Sequence, residues 1–304
     1  MPDDVPVDTD GWWCDPKTEY AFLGFSYEVS ACQSADQLKK EFQDARDRFQ
    51  SRYIRLYGAC DRDGFYDDVI EAAWSASVGV QALIWFGFDG DDKWKSRRDD
   101  LLDTLYSNPK APFVTRGVQF GSEPLYDQVL PPSQLASQVS DAQTTLRPLG
   151  INVTVSDLAY GFQSTADQGS QKVLDQIDFI DAHMLPYFSQ HASTGDKAWP
   201  DVQNDLNYFL DNGKGKKIYF SENGWPSTHY CPGVCPNSPD AVSSVDSEDK
   251  YYKLLDSKCE YLKQVNGGGV GWFAHIYSDN QEPGYGIYDT NMKLKFDFSP
   301  KTSC

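Results

Sequence analysis

Short apolar runs recur along the chain and are separated by segments with a helical pattern. Each run has six to eight residues and is enriched in β-branched and aromatic types, as buried strands are. The runs cover residues 21–28, 52–57, 79–86, 113–120, 151–157, 178–184, 216–221 and 269–275. The pattern therefore predicts eight strands.

The segments between the runs have the pattern of amphipathic helices. In residues 34–50, apolar side chains fall at i, i+4, i+7 and i+11 from Leu38 to Phe49, and charged residues occupy the other positions. Ser34 and Gln37 form a capping box at the start of this helix. The same pattern predicts further helices over 93–107, 133–147, 200–212 and 246–264.

Alternation of strand and helix indicates parallel strands joined by crossover helices, and eight such units predict an α/β fold of the (β/α)8 TIM barrel type. An open doubly wound sheet is the alternative, but no glycine-rich phosphate loop follows the first strand. We expect one catalytic domain over residues 1–304, with an N-terminal extension at 1–20 and a long loop at 226–246 after strand seven. The tail after residue 275 has an extended pattern, so the eighth helix is expected to be missing or degenerate.

Charge and composition narrow the possible partners. The net charge of −18 argues against nucleic acid, because phosphate binding needs a basic surface. A neutral polymer is compatible with this charge, and aromatic residues make up 14% of the chain, more than a core needs. No apolar run approaches the ~18 residues of a membrane span, and residues 1–15 lack the features of a signal peptide. We expect a monomer in its mature form.

The seven cysteines, at positions 14, 32, 60, 231, 235, 259 and 304, form no paired CxxC zinc motif. They indicate disulfides and an oxidising compartment, so we expect a secreted, extracellular or cell-wall protein. Cys32 and Cys60 follow the first two strands and are expected to join. Cys14 and Cys304 lie near the termini and could join as well. Because seven is odd, at least one thiol is free or pairs outside the chain.

Barrel active sites lie at the carboxyl ends of the strands, so polar and aromatic residues at those positions are candidates. Two glutamates are prominent, Glu123 after strand four and Glu222 after strand seven, because these strands face each other across the mouth. Their carboxyl groups could lie ~5 Å apart, the spacing of retaining glycosidases. Taken alone, Glu123 could instead serve the dipole at a helix start, and with 45 acidic residues in the chain some carboxylates follow strands by chance. The other candidates at strand ends are Tyr27, Arg55, Tyr57, Ser122, His183, Tyr187, Trp225, His275 and Tyr277.

Other catalytic patterns do not fit the sequence. The four histidines show no metal-ligand spacing such as HExxH, and no GxSxG elbow occurs. His183 and His275 could line the cleft or be structural. We therefore expect a site without a metal ion or cofactor.

Several motifs resemble glycoside hydrolase family 17. Residues 221–227, SENGWPS, resemble its nucleophile signature, which usually reads Glu-Thr-Gly-Trp-Pro-Ser. Weaker similarities follow in the right order, in GFSYE at 24–28, IRLYG at 54–58, GSEPLY at 121–126 and LPYF at 185–188. The resemblance covers about residues 20–290. It implies a TIM barrel that hydrolyses β-1,3-glucan or transfers glucan chains.

The resemblance also implies roles for individual residues. Glu222 would be the nucleophile and Glu123 the acid/base, Tyr27 and Tyr187 would lie near the cleaved sugar, and Trp225 would shape the site. Cysteines at 32 and 60 are more similar to fungal cell-wall members than to plant members.

Three departures from the family bear on specificity. Ser122 stands where the larger clan has an asparagine that contacts the sugar 2-hydroxyl, His183 replaces the usual asparagine, and HIYSDNQEP at 275–283 replaces the usual Asp-Glu-Pro-Trp-Lys. The alternatives are the same chemistry on a β-1,6 or β-1,2 linkage, or a glucan-binding barrel without catalysis. Retention of both glutamates argues against the non-catalytic alternative.

Overall fold

Eight parallel strands close into a barrel in the order of the sequence, as predicted. The computed structural model describes residues 1–2, 4–88, 90–229 and 235–304. Each strand pairs with its neighbours along the chain, and β1 closes the barrel by pairing with β8. The strands are β1 (Ala21–Glu28), β2 (Tyr53–Tyr57), β3 (Gly79–Ile84), β4 (Thr115–Ser122), β5 (Asn152–Leu158), β6 (Ile180–Met184), β7 (Ile218–Asn223) and β8 (Val270–Ala274).

Helices connect the strands and form the outer layer. The described helices are α1 (Ala35–Phe49), α2 (Phe65–Ala76), α3 (Lys93–Ser107), α4 (Ala111–Val114), α5 (Pro132–Leu146), α6 (Ala159–Ser164), α7 (Gln171–Gln176), α8 (Trp199–Asn212), α9 (Val245–Ser257) and α10 (Cys259–Gln264). The sequence patterns did not indicate α2, α4, α6 or α7. No helix follows β8 in residues 275–304, which confirms the expectation of a missing eighth helix. Within the described part of the chain, no helix combines the length and the apolar character that a bilayer crossing needs.

The first helix shows how the predicted pattern becomes structure. The Ser34 hydroxyl accepts a hydrogen bond from the Gln37 amide at 3.2 Å, so half of the expected capping box is present. The Gln37 side chain donates to Glu41 at 3.0 Å, one turn further along the helix. The helix ends where Gln50 adopts a left-handed conformation. Its apolar face, from Leu38 on, is fully buried against the barrel.

The amino end of the barrel is closed by the N-terminal segment. Glu19 is completely buried there and pairs with Arg116 at 3.1 Å. The hydroxyl of Tyr53 donates to the same carboxylate at 2.6 Å, and the hydroxyl of Tyr219 also donates to it. The N-terminal extension, residues 1–20, therefore contributes to the barrel, since the side chain of Glu19 links three of its strands.

Two disulfides join segments of the described chain. Cys32 bonds to Cys60, as predicted, and links the ends of β1 and β2. Cys304 bonds to Cys259, not to Cys14, which is exposed and free. The prediction for Cys14 was wrong because position near a terminus does not fix position in space, and the C-terminal carbonyl of Cys304 is held against α10 by Lys263. Residues 230–234, which include Cys231, lie outside the described part of the chain.

Candidate active site

Two irregularities in strand pairing orient the predicted glutamates toward the barrel mouth. Between Gln119 and Ser122, β4 carries one residue more than its partner β5. Strand β7 likewise carries one extra residue relative to β6, just before Asn223. Because side chains alternate between the faces of a strand, an extra residue reverses which positions face inward. As a result Glu222 extends into the interior of the barrel, and Glu123 lies at the end of a reoriented strand.

The two carboxylates lie close together. One oxygen of Glu123 and one of Glu222 are within 4.8 Å of each other and of a ring nitrogen of His183. The side chain of Glu123 is 23% exposed and that of Glu222 is 10% exposed. Both groups can therefore be reached from the mouth, although most of each side chain is shielded from water.

A buried arginine organises the floor of the site. The Arg55 side chain is fully buried, and Nη1 lies 3.4 Å from an oxygen of Glu222. Its Nε donates to Gln119 at 2.7 Å, and its Nη2 donates to the hydroxyls of Ser122 and Ser156 at 3.3 and 3.4 Å. A planar guanidinium with this many partners is fixed in place. It places a positive charge next to the carboxylate of Glu222.

His183 connects Arg55 to Glu123. Nη2 of Arg55 lies 3.2 Å from Nε2 of His183, and a guanidinium can only donate, so Nε2 accepts. The proton of a neutral ring is then on Nδ1, which donates to Glu123 at 2.9 Å. Burial lowers the pKa of His183 to about 3, against the opposing charge of Glu222. The histidine is thus a neutral donor that orients Glu123.

Glu123 is held as a weak acid in an unusual backbone conformation. Burial raises its pKa from 4.5 to about 7, although Arg55 and His275 act in the other direction. Its φ of 55° is in the left-handed region, which is uncommon for a residue with a side chain. Its amide donates to the carbonyl of Ser156 at 2.8 Å. An acid with a pKa near neutrality suits general acid and base catalysis.

Tyr57 and His275 form another side of the site. The Tyr57 ring lies 5.6 Å from the guanidinium carbon of Arg55 and 5.7 Å from the His275 ring. The negative charge of Glu222, and then burial, raise the pKa of Tyr57, so the phenol keeps its proton. Nε2 of His275 lies 2.9 Å from Glu282. Burial lowers the pKa of His275, but the carboxylates of Glu282 and Glu222 outweigh it, so the net shift is upward.

Four predicted site residues do not join this cluster. Tyr27 and Tyr277 point away from the barrel axis, where their hydroxyls donate to Glu41 and Asp44 of α1. The side chains of Tyr187 and Trp225 are fully buried.

Trp225 donates its indole N–H to the carbonyl of Val242 at 2.9 Å, and Tyr187 packs edge-to-face on its ring. These two aromatics support the loop after β7 and offer no open face to a sugar. Strand-end position identified them, but it does not tell which face of the strand a side chain occupies.

The structure adds residues that the sequence did not single out. Gln119 orients Arg55, and Glu282 holds His275. Gln119 lies between Val118 and Phe120 in a predicted strand, a pattern that could have marked it as an inward polar residue. For Glu282 the sequence gives no such signal. Trp85 and Phe88 extend an aromatic edge from Tyr57. The Trp85 ring lies 5.6 Å from the Tyr57 ring, and the ring of Phe88, which is 81% exposed, lies 5.1 Å from that of Trp85.

Glu123, His183 and Glu222 together have the atoms and the spacing to hold a metal ion. The three residues are far apart in the sequence and meet only in the folded barrel. The spacing of histidines along the chain therefore did not indicate them. A cation between them would lie beside the buried guanidinium of Arg55, which already supplies positive charge to Glu222 and occupies Nε2 of His183. Acid and base chemistry therefore suits the cluster better than metal binding.

Comparison with known proteins agrees with this geometry. Residues 23–286 match the BtgE/BtgC glycoside hydrolase domain family. No curated protein matches the sequence.

Solved structures with the same fold include a glycoside hydrolase family 17 β-1,3-glucanosyltransferase from Rhizomucor miehei. It aligns with a TM-score of 0.72 and 21% identity over 92% of this chain and 96% of that chain. An active-site mutant of the Rhizomucor enzyme in complex with laminaritriose aligns with a TM-score of 0.74 and 20% identity. The alignment covers 95% of this chain and 100% of that chain. Thermotoga maritima Cel5A in complex with mannotriose aligns with a TM-score of 0.59 and 15% identity, over 92% of this chain and 97% of that chain.

Proposed function

The chain belongs to the BtgE/BtgC glycoside hydrolase domain family, and from that premise we propose that it is a retaining glycosidase of the family 17 type that acts on β-1,3-glucan. One observation carries the proposal, namely that carboxylate oxygens of Glu123 and Glu222 lie within 4.8 Å of each other. Retaining enzymes have carboxyl groups about 5–5.5 Å apart, whereas inverting enzymes need about 6.5–9.5 Å to admit a water. The spacing therefore favours a double displacement.

The environments of the two carboxyl groups suit different roles. Glu123, with its raised pKa, donates its proton to the glycosidic oxygen as the bond to the anomeric carbon breaks. The carboxylate of Glu222, next to the Arg55 guanidinium, attacks that carbon and forms a glycosyl-enzyme ester. Glu123, now a carboxylate, then takes a proton from water or from a sugar hydroxyl. The resulting oxygen nucleophile displaces Glu222 with net retention of configuration.

The substrate is inferred from three supporting observations. The Rhizomucor miehei relative is a β-1,3-glucanosyltransferase, and its mutant binds laminaritriose. The net charge of −18 is compatible with a neutral polysaccharide. Disulfides in the described chain fit an oxidising compartment, so we propose action outside the cell. Hydrolysis and transfer share the glycosyl-enzyme and differ in the acceptor.

Ser122 supports a second candidate, the same chemistry on another linkage. Its hydroxyl accepts a hydrogen bond from Nη2 of Arg55 at 3.3 Å, and its side chain is shorter than the asparagine that contacts the sugar 2-hydroxyl in the larger clan. A panel of linear β-1,3-, β-1,6-, β-1,4- and β-1,2-glucans separates the candidates. We expect the highest kcat/KM on the β-1,3-linked chain.

Substitution of the two glutamates tests the mechanism. We expect Glu222→Ala and Glu123→Ala each to lower kcat/KM on laminarihexaose by at least about 10³-fold, because each removes a group that acts on the reacting bond. With an activated aryl β-laminaribioside, added azide should rescue both variants. It should yield an α-glycosyl azide when Glu222 is missing and a β-glycosyl azide when Glu123 is missing.

Glu71→Gln is the matched control, because Glu71 pairs with Lys110 at 2.7 Å on the outer surface. This variant should keep wild-type activity. If the wild type releases no sugar from any glucan of the panel, or if Glu222→Ala remains active, the proposed function is wrong.

A further inference from the structure

Two exposed tyrosines contact each other on the segments that follow β4 and β5. Tyr126 is 47% exposed and Tyr160 is 62% exposed, and their ring centroids lie 6.2 Å apart at an interplanar angle of 63°. Tyr126 lies on the loop after β4, and Tyr160 lies in α6, directly after β5. Both rings are therefore at the carboxyl end of the barrel, where the site is. The proton transfers described above do not use either residue.

A buried carboxylate ties this pair to Glu123. Asp157, at the end of β5, accepts hydrogen bonds from the amides of Leu125 at 2.7 Å and Tyr126 at 3.4 Å. The start of α6 packs tightly on the same carboxylate, since a Cβ at Gly161 would lie 2.2 Å from an oxygen of Asp157 and 3.0 Å from the amide of Tyr126. The two loops thus form one rigid unit, and the tyrosine pair has a fixed position relative to Glu123.

We propose that Tyr126 and Tyr160 form a binding platform for the sugar units on the leaving-group side of the cleaved bond. This inference rests on the proposed function. A general acid must contact the glycosidic oxygen, so the sugar beyond that oxygen lies on the side of Glu123. Three residues span at most about 11 Å, so Tyr126 is within reach of the first sugars on that side.

The chemistry of the pair fits a β-linked glucan chain. Equatorial hydroxyl groups leave the two faces of a β-glucose ring apolar, and such faces pack on aromatic rings. Two exposed aromatic rings in contact with each other offer a larger apolar surface for such a face than a single ring does. After the first displacement the same platform holds an acceptor sugar, so it favours transfer over hydrolysis.

A comparison of two substrates isolates the leaving-group side. Laminarihexaose places sugars on both sides of the cleaved bond, whereas 4-nitrophenyl β-laminaritrioside, cleaved at the aryl group, places none on the leaving-group side. We expect Tyr126→Ala/Tyr160→Ala to lower kcat/KM about tenfold on laminarihexaose and to change it by less than about twofold on the aryl substrate. The ratio of transfer to hydrolysis with added laminaritriose should also fall.

Two controls make the result specific. Tyr126→Phe/Tyr160→Phe keeps both rings and should restore most of the rate on laminarihexaose that the double alanine variant loses. Tyr261→Ala removes a 40% exposed tyrosine that packs on Trp199 and lies in α10, the helix before β8, and should change neither rate.

Other outcomes overturn the platform. Unchanged rates in the double alanine variant exclude it, while equal losses on both substrates mean that the tyrosines only support Glu123. If the wild type is inactive, the proposed function fails, and calorimetric titration with laminarihexaose then tests the platform separately. Weaker binding by the double alanine variant would support it, and equal binding would exclude it.

Discussion

At the scale of single residues, the site depends on hydrogen-bond direction. Arg55 can only donate, so it fixes His183 as an acceptor on one nitrogen and a donor to Glu123 on the other. The sequence suggested both residues because they lie at strand ends, but it left open whether His183 was structural or lined the cleft. Only the distances to Arg55 and Glu123 define its protonation state.

Loss of the His183 donor is expected to shift the pH profile upward. In the proposed mechanism the catalytic acid is a protonated Glu123, so kcat/KM on laminarihexaose should fall as pH rises above about 7. A donor to a carboxylate favours its ionised form, and His183→Leu removes that donor while keeping an apolar side chain of similar size. The pKa of Glu123 should therefore rise, and the alkaline limb should move up by about one pH unit.

Ser122→Ala is the control for this experiment. It removes another acceptor from Nη2 of Arg55 and should leave the position of the alkaline limb unchanged. A limb that stays in place in His183→Leu, or moves to lower pH, would show that His183 does not donate to Glu123.

At the scale of elements, the pattern of apolar runs predicted the eight strands well, because buried parallel strands need nearly continuous apolar sequence. Strand β1 has the predicted bounds, and each of the others differs by one or two residues at one or both ends. The extra residues in β4 and β7 were not predictable, since they depend on pairing between strands. For the same reason the sequence could not show that Tyr27 and Tyr277 face the outer helices.

The Cys32–Cys60 disulfide allows a test at this scale. It links the loops after β1 and β2 with a sequence separation of 28 residues. Removing it in Cys32→Ala/Cys60→Ala should lower the free energy of unfolding by about 2–4 kcal/mol, because the unfolded chain regains conformational entropy. Calorimetry measures the effect as a lower Tm.

Cys14→Ala provides the comparison, since Cys14 is exposed and free. It should have the Tm of the wild type under oxidising and reducing conditions. If the double variant also melts at the wild-type temperature, the disulfide does not contribute to stability.

At the scale of the whole molecule, the two ends of the barrel serve different purposes. The carboxyl end collects partly exposed acids and a left-handed glutamate, whereas the amino end is closed by Glu19 and its partners Arg116, Tyr53 and Tyr219. In this fold, residues at the carboxyl end serve catalysis and residues at the amino end serve stability. Two glutamates, Glu19 and Glu123, should therefore respond to the same substitution in opposite ways.

Glu19→Gln should cost stability and leave catalysis intact. The change removes the negative charge that neutralises Arg116, whose side chain is 11% exposed. Breaking a buried ion pair from one side costs about 3–5 kcal/mol. Urea unfolding at pH 8 should show this loss, while kcat/KM at a temperature where the variant stays folded should remain within about twofold of the wild type.

Glu123→Gln should show the reverse. Folding raises the pKa of Glu123 from 4.5 to about 7, so between these pH values the folded protein holds a proton that the unfolded chain has lost. The stability of the wild type therefore falls as pH rises across this range. At pH 8 the ionised carboxylate costs up to about 3 kcal/mol, which a neutral amide avoids. The variant should therefore be more stable than the wild type at pH 8, equally stable near pH 4, and inactive on laminarihexaose. If Glu123→Gln and the wild type are equally stable at both pH values, Glu123 is not desolvated. Its proposed role as the acid would then lose its electrostatic support.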